Sequence, residues 1–234
     1  MPRKPRMYLP DVPCHIIQRG NNRDATFFAE QDYQFYLECL YDAAKKYHVK
    51  IHAYVLMTNH VHLLMTPQLK ESISLVMQSI GRRYVQYINK EYRRTGTLWE
   101  SRHKASLIDA ESYLLVCSRY IEMNPVNANM VNHPSQYKWT SYMCNAHGES
   151  NRLISPHETY NRPGLCEEER RQAYASLFDD VVDTKEMQVV RNAVRFSMPT
   201  GDSRFQKQIE QALSRKTGHA HRGRPHGAAK EKCK

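Results

Sequence analysis

No stretch of the sequence approaches the roughly 18 uninterrupted apolar residues of a membrane-spanning helix, so no membrane span is expected. Residues 1–13 (MPRKPRMYLPDVP) are basic but have no apolar core, so no secretory signal is expected either. The cytoplasm is then the expected compartment. Cysteines stand at 14, 39, 117, 144, 166 and 233, and no two are close enough for a C-x-x-C pair. That excludes a zinc knuckle or a dithiol redox motif and leaves reduced thiols, most of them small core residues. No internal repeat occurs, which excludes a solenoid.

What is present is a chain of 234 residues, 41% hydrophobic and 25% charged, a balance that supports a packed core and excludes wholesale disorder. Lys and Arg exceed Asp and Glu by ten, with a pI near 9.3. A surplus of that size suits a polyanionic partner, most commonly nucleic acid. The excess is clustered at Arg3, Lys4 and Arg6, on Arg82, Arg83, Lys90, Arg93 and Arg94, and beyond residue 214, where seven Lys or Arg face one acid.

Hydrophobic spacing predicts strands over 14–19, 50–57 and 60–65 and within 98–108. It predicts helices over 32–47, 71–92 and 110–123, the last capped by Asp109 and interrupted at Asn124-Pro125. Ile51, Ala53, Val55 and Met57 are expected on one strand face. The order β-α-β-β-α-β-α describes an α+β fold: a split βαβ, ferredoxin-like, four-stranded antiparallel sheet with helices on one face. Residues 1–150 would form this domain. Residues 151–216, with helical patterns over 167–178, 185–196 and 203–215, form an extension, and 217–234 a disordered basic tail.

Two small patterns carry chemistry. His60 and His62 alternate on a strand, so both project from one face about 6.5–7 Å apart and can converge on one divalent ion. A plain pair of strand histidines fits the same tripeptide. Tyr120 and Asn124 lie one helical turn apart, on a face shared with Tyr113 and Cys117. A phenol, with a pKa near 10, attacks phosphorus poorly unless a metal polarises the phosphodiester. Taken alone, this pair fits a hydrogen-bonded core tyrosine with Asn124 capping the helix end better than it fits a catalytic pair.

The ordered set of strings 14–22 (CHIIQRGNN), 55–67 (VLMTNHVHLLMTP), 98–107 (LWESRHKASL) and 119–128 (RYIEMNPVNA) resembles the single-tyrosine transposase branch of the HUH single-strand endonucleases. Within it the chain is most similar to the REP-associated tyrosine transposases and their insertion-sequence-type relatives. The resemblance implies that His60, His62 and Asn124 hold Mg²⁺ or Mn²⁺ and that Tyr120 attacks the scissile phosphate. A glutamine commonly stands where this sequence has Asn124. The implied partner is single-stranded DNA with hairpin-forming palindromic repeats, cleaved to a 5′-phosphotyrosyl strand and a free 3′-OH. The protein would act as a monomer or a homodimer.

Expected DNA contacts are Arg19 and Arg23 near the first turn, Arg82 and Arg83 on a helix side that reads equally well as simply solvated, Arg102, His103 and Lys104 before the fourth strand, and Arg222 and Arg224 in the tail. Tyr54 is a possible base-stacking residue, whereas Trp99 and Trp139 read as core. The alternative function is a hairpin-DNA binder or regulator that has no turnover; a hydrolase using water in place of Tyr120 is a third.

Overall fold

In the computed structural model, which describes residues 6–164, 166–179 and 184–217, the elements follow the predicted order. They are β1 (Cys14–Arg19), α1 (Glu30–Lys46), β2 (Val49–Met57), β3 (His60–Pro67), α2 (Ser72–Glu91), β4 (Lys104–Leu107) and α3 (Ala110–Glu122). Helices α4 (Asn124–Asn127), α5 (Tyr142–His147), α6 (Glu158–Asn161), α7 (Glu167–Ser176), α8 (Thr184–Phe196) and α9 (Ser203–Ala212) complete the described chain. The strands form one antiparallel sheet in the order β2-β3-β1-β4, the split βαβ arrangement of an α+β fold. The basic tail, with Arg222 and Arg224, lies outside the described residues, as do Arg3 and Lys4.

Strand alternation divides the core between the two sheet faces. Ile16, Leu56, Val61, Leu63 and Met65 meet Tyr36 and Leu40 of α1 and Ile73, Val76, Ile80 and Tyr84 of α2. Each such fully buried side chain contributes about 1.5–3 kcal/mol. Asp32 ties these two helices together: its carboxylate accepts from the Phe28 and Ala29 amides at the start of α1, from the Tyr87 hydroxyl of α2 and from the Tyr92 hydroxyl just past its end.

The expectation of helices on one face holds for α1 and α2 but not for α3. Ala53, Val55, Met57 and Leu64 make the second face apolar too, and Leu114, Cys117 and Ile121 of α3 cover it together with Val190 of α8. A sheet with two apolar faces must be covered on both. A second departure is a β-bulge between Ile51 and Ala53, which sends Ile51 to the α1/α2 side while Ala53, Val55 and Met57 face α3.

The turn after β1 is tight. A Cβ at Gly20 would press into the Asp24 carbonyl oxygen and the Thr26 methyl group, so only glycine fits there. Asn22 and Arg23 then take positive φ, and the Asn59 side chain donates to the Arg23 carbonyl oxygen at 2.8 Å.

Candidate active site

The half of the second sheet face that α3 leaves open carries the chemistry. His15, Ile17 and Arg19 of β1 sit opposite Leu64, His62 and His60 of β3, and Lys104 pairs with Ile17 from the other side. Directly paired residues share a face, so both histidines, Arg19 and Lys104 point the same way. They line a cavity of about 840 Å³ with Arg23, Glu100, Ser101, Arg102, Tyr120 and Asn124, and with Met187, Gln188, Arg191 and Arg195 of α8.

The predicted site residues therefore come together. The His60 and His62 rings are 5.1 Å apart, and the Tyr120 ring stands edge-on to His62 with centroids 5.7 Å apart. Asp109 caps α3 by accepting from the Glu111 amide, which sets the helix phase that brings Tyr120 over the sheet. Asn124 begins α4 after a short break, and its amide nitrogen donates to the carbonyl oxygens of Tyr120 at 2.8 Å and Ile121 at 3.2 Å. Among the described residues that leaves Asn124 Oδ1 as its unused acceptor.

Both histidines are held through Nδ1. Asn59 donates through its amide to Arg23, so Asn59 Oδ1 faces His60 Nδ1 at 2.7 Å and accepts its proton. His60 Nε2 is then left with its lone pair. His62 Nδ1 meets Nε2 of His15 at 2.9 Å, the two rings stacked 5.2 Å apart. His62 can ligate through Nε2 when it is the donor in that bond. His15 is fully buried, and among the described residues its Nδ1 has no hydrogen-bond partner.

Burial keeps the imidazoles neutral, with His60 lowered to about 4, His15 to about 3 and His62 well below its ordinary value. Neutral imidazoles are the form that binds metal. Among the described residues no three His, Cys, Asp or Glu side chains cluster as a metal site. His60, His62 and Asn124 line one cavity and offer two imidazole nitrogens and one amide oxygen, atom types that suit a divalent cation. Burial raises the Tyr120 phenol; Arg191 and Arg19 oppose that shift.

Other expected contacts fall elsewhere. His103, expected to contact DNA, is instead buried, its ring 2.5 Å from the Tyr8 hydroxyl and its carbonyl oxygen accepting from Arg6, so the ring is not open to a strand. Arg82 and Arg83 lie on α2, across the sheet from the cavity, where Arg83 pairs with Asp42 at 3.0 Å. Tyr54 is buried and accepts from Asn151, so it offers no face to a base. Trp139 stacks on Tyr33 at 4.5 Å and Trp99 packs on the α1/α2 core, as expected. Sequence reasoning missed His15, Asn59, Arg191 and Arg195. Strand parity was the one available signal for His15, and it is meaningful only once the β1–β3 register is known.

A tyrosine carried by a helix over a histidine pair on a split βαβ sheet is the arrangement of single-tyrosine transposases. Residues 9–124 match the family model described as IS200-like transposase. The chain belongs to this family and is a transposase. No curated protein matches it. The solved structure of a REP-associated tyrosine transposase bound to a REP hairpin has the same fold, with a TM-score of 0.55 and 18% identity over 67% of this chain and 93% of that one. A candidate transposase from Deinococcus radiodurans R1 scores 0.36, at 19% identity over 55% of this chain and 92% of its own. The tRNA(His) guanylyltransferase of Saccharomyces cerevisiae scores 0.39, at 12% identity over 78% and 84%. At such scores neither of these two likenesses bears on function. No helix among the described residues is long and apolar enough to cross a membrane.

Proposed function

We propose that the protein cleaves and rejoins single-stranded, hairpin-forming palindromic DNA in the cytoplasm, using Tyr120 as nucleophile. The observation that carries this reading is the placement of the Tyr120 ring 5.7 Å from that of His62, in one cavity with His60, Asn124 and the cations Arg19, Arg23, Arg102 and Lys104. The hairpin partner is supported by the fold-sharing REP-associated transposase, which was solved with a REP hairpin.

His60 Nε2, His62 Nε2 and Asn124 Oδ1 would hold Mg²⁺ or Mn²⁺. That ion would polarise the scissile phosphodiester and offset its negative charge. The Tyr120 oxygen attacks phosphorus; the new O–P bond forms as the P–O3′ bond breaks. The phenolic proton passes to water in the open cavity, and the departing 3′-oxygen takes up a proton. One phosphodiester is exchanged for another, so the free 3′-OH can reverse the reaction or join a different strand. Both the tyrosine and the histidines come from one chain, so the reading has a monomer act in cis.

With Mn²⁺ and a single-stranded hairpin oligonucleotide, the protein should form an SDS-resistant adduct. His60→Ala should lose cleavage by about 10²-fold or more while keeping its circular dichroism spectrum, because His60 is not a core residue. An adduct formed equally well by His60→Ala, or in EDTA, would overturn the metal assignment. A hairpin binder without turnover would show affinity and no adduct under any metal.

His15 gives a second test. His15→Phe fills the same space but removes the acceptor that orients His62, and outer-shell losses of this kind weaken metal binding about 10–100-fold. Titration of free Mn²⁺ by electron paramagnetic resonance should show that loss in the variant. Equal affinity would leave His15 as packing alone.

A further inference from the structure

Helix α8 begins 60 residues beyond the family match, which ends at Asn124, yet it forms one wall of the cavity. Its phase explains how. Val190, Ala193 and Val194 are buried, and Val190 packs with Leu114, Cys117 and Ile121 of α3. Met187, Gln188, Arg191 and Arg195 fall on the side that lines the cavity, Arg195 one turn beyond Arg191.

The segment after α8 holds this orientation. Thr200 runs as a parallel bridge beside Ile108, donating its amide to the Leu107 carbonyl oxygen and accepting from the Asp109 amide, both at 2.8 Å. Ser106 of β4 donates to the Met198 carbonyl oxygen at 2.5 Å. The helix is thereby tied to the strand whose first residue, Lys104, also lines the cavity.

The wall it adds is cationic. Arg19, Arg23, Arg102, Lys104, Arg191 and Arg195 face the cavity with a single carboxylate, Glu100. Arg191 is exposed and makes no ion pair or hydrogen bond among the described residues. Gathering like charges around one concavity costs stability unless an anion enters it.

We propose that Arg191, with Arg195 beside it, is an anion subsite supplied by the C-terminal extension, binding a backbone phosphate of the single-stranded DNA that reaches Tyr120. This rests on the strand-cleavage reading above and deepens it: the DNA track continues from β1 and β4 onto α8. The chemistry that selects this ligand is guanidinium against phosphate diester, in a groove open enough for a strand. Arg191 lines the same cavity as Tyr120, which places its charge on the side from which a strand reaches the reacting group.

The test is metal-free binding of fluorescein-labelled oligo(dT) in EDTA, followed by anisotropy over a range of salt, for wild type, Arg191→Gln, Arg191→Lys and the α1 surface variant Lys45→Gln. Arg191→Gln should bind about tenfold more weakly at low salt. The slope of log affinity against log salt should fall in magnitude by about 0.7, the value for one contact to single-stranded phosphate. Arg191→Lys should restore the slope, and Lys45→Gln should match wild type. A wild-type slope in Arg191→Gln would overturn the subsite and leave the cleavage reading standing. If wild type itself fails to bind oligo(dT), the subsite falls together with single-strand binding at this cavity.

Discussion

Tyr120→Phe is expected to reduce the covalent protein–DNA adduct to background, a loss on the order of 10³-fold or more, while leaving hairpin affinity within a few-fold of wild type. The variant keeps the ring that packs edge-on to His15 and His62 and removes only the oxygen. No hydrogen bond to that oxygen exists among the described residues, so unfolding free energy should change by less than about 1 kcal/mol. Labelled hairpin DNA, Mn²⁺ and a denaturing gel make the measurement. Tyr113→Phe is the companion variant, because Tyr113 lies two turns earlier along the same side of α3 and is not among the residues lining the cavity. It should form adduct at the wild-type rate. Should Tyr113→Phe be the inactive variant, or Tyr120→Phe retain cleavage, the nucleophile is misplaced on its helix.

The parts of this site that were legible in the sequence follow from local periodicity. His60 and His62 share a face because strand side chains alternate, and Tyr120 and Asn124 share one because a helix turns every 3.6 residues. Arg19 and Lys104 follow the same parity. His103 and Lys104 are adjacent, so strand parity sends them to opposite faces, and charge clustering alone does not separate the two. Arg82 and Arg83 show the limit of helix phasing, which identifies the polar side of α2 but not the face of the sheet on which α2 lies. The reversal of Ile51 at the bulge costs the alternation pattern one residue, and no residue type there marks it. His15 and Arg191 depend on contacts distant in sequence, His15 with His62 through strand register and Arg191 with the cavity through docking of a helix some seventy residues after Tyr120. The family match stops short of that helix, so resemblance did not reach it either.

Glu122 is the largest stability effect that the sequence conceals. In the last turn of α3 a glutamate reads as solvated, yet this one is fully buried. Its Oε1 accepts from the Ser141 hydroxyl at 2.5 Å and the Asn145 amide at 2.9 Å, and its Oε2 from the Tyr174 hydroxyl at 2.8 Å. One carboxyl group thus joins α3 to the start of α5 and to α7, elements separated by up to 52 residues. Burial raises its pKa to about 7, and the three donors only partly oppose that rise. The ordinary value is 4.5, so between 4.5 and 7 the folded protein binds this proton more tightly than the unfolded chain. Its contribution is full below the lower value and is lost as pH rises through the upper one, amounting to about 3 kcal/mol. In Glu122→Gln the amide oxygen still accepts from Ser141 and Asn145 and the nitrogen faces the Tyr174 oxygen as a donor, so only the Tyr174 proton loses its acceptor, equally at every pH, and no proton is exchanged. Urea unfolding at pH 5 and pH 8 should therefore show wild type losing about 3 kcal/mol relative to Glu122→Gln over that interval. The depressed histidines shift stability the opposite way in both proteins and cancel in the difference. Glu122→Leu leaves all three donors unpaired and should cost about 3 kcal/mol or more at either pH. A pH-independent gap between wild type and Glu122→Gln would mean that the carboxyl group titrates alike in the folded and unfolded chain, as it would if the α7 cover were open to water.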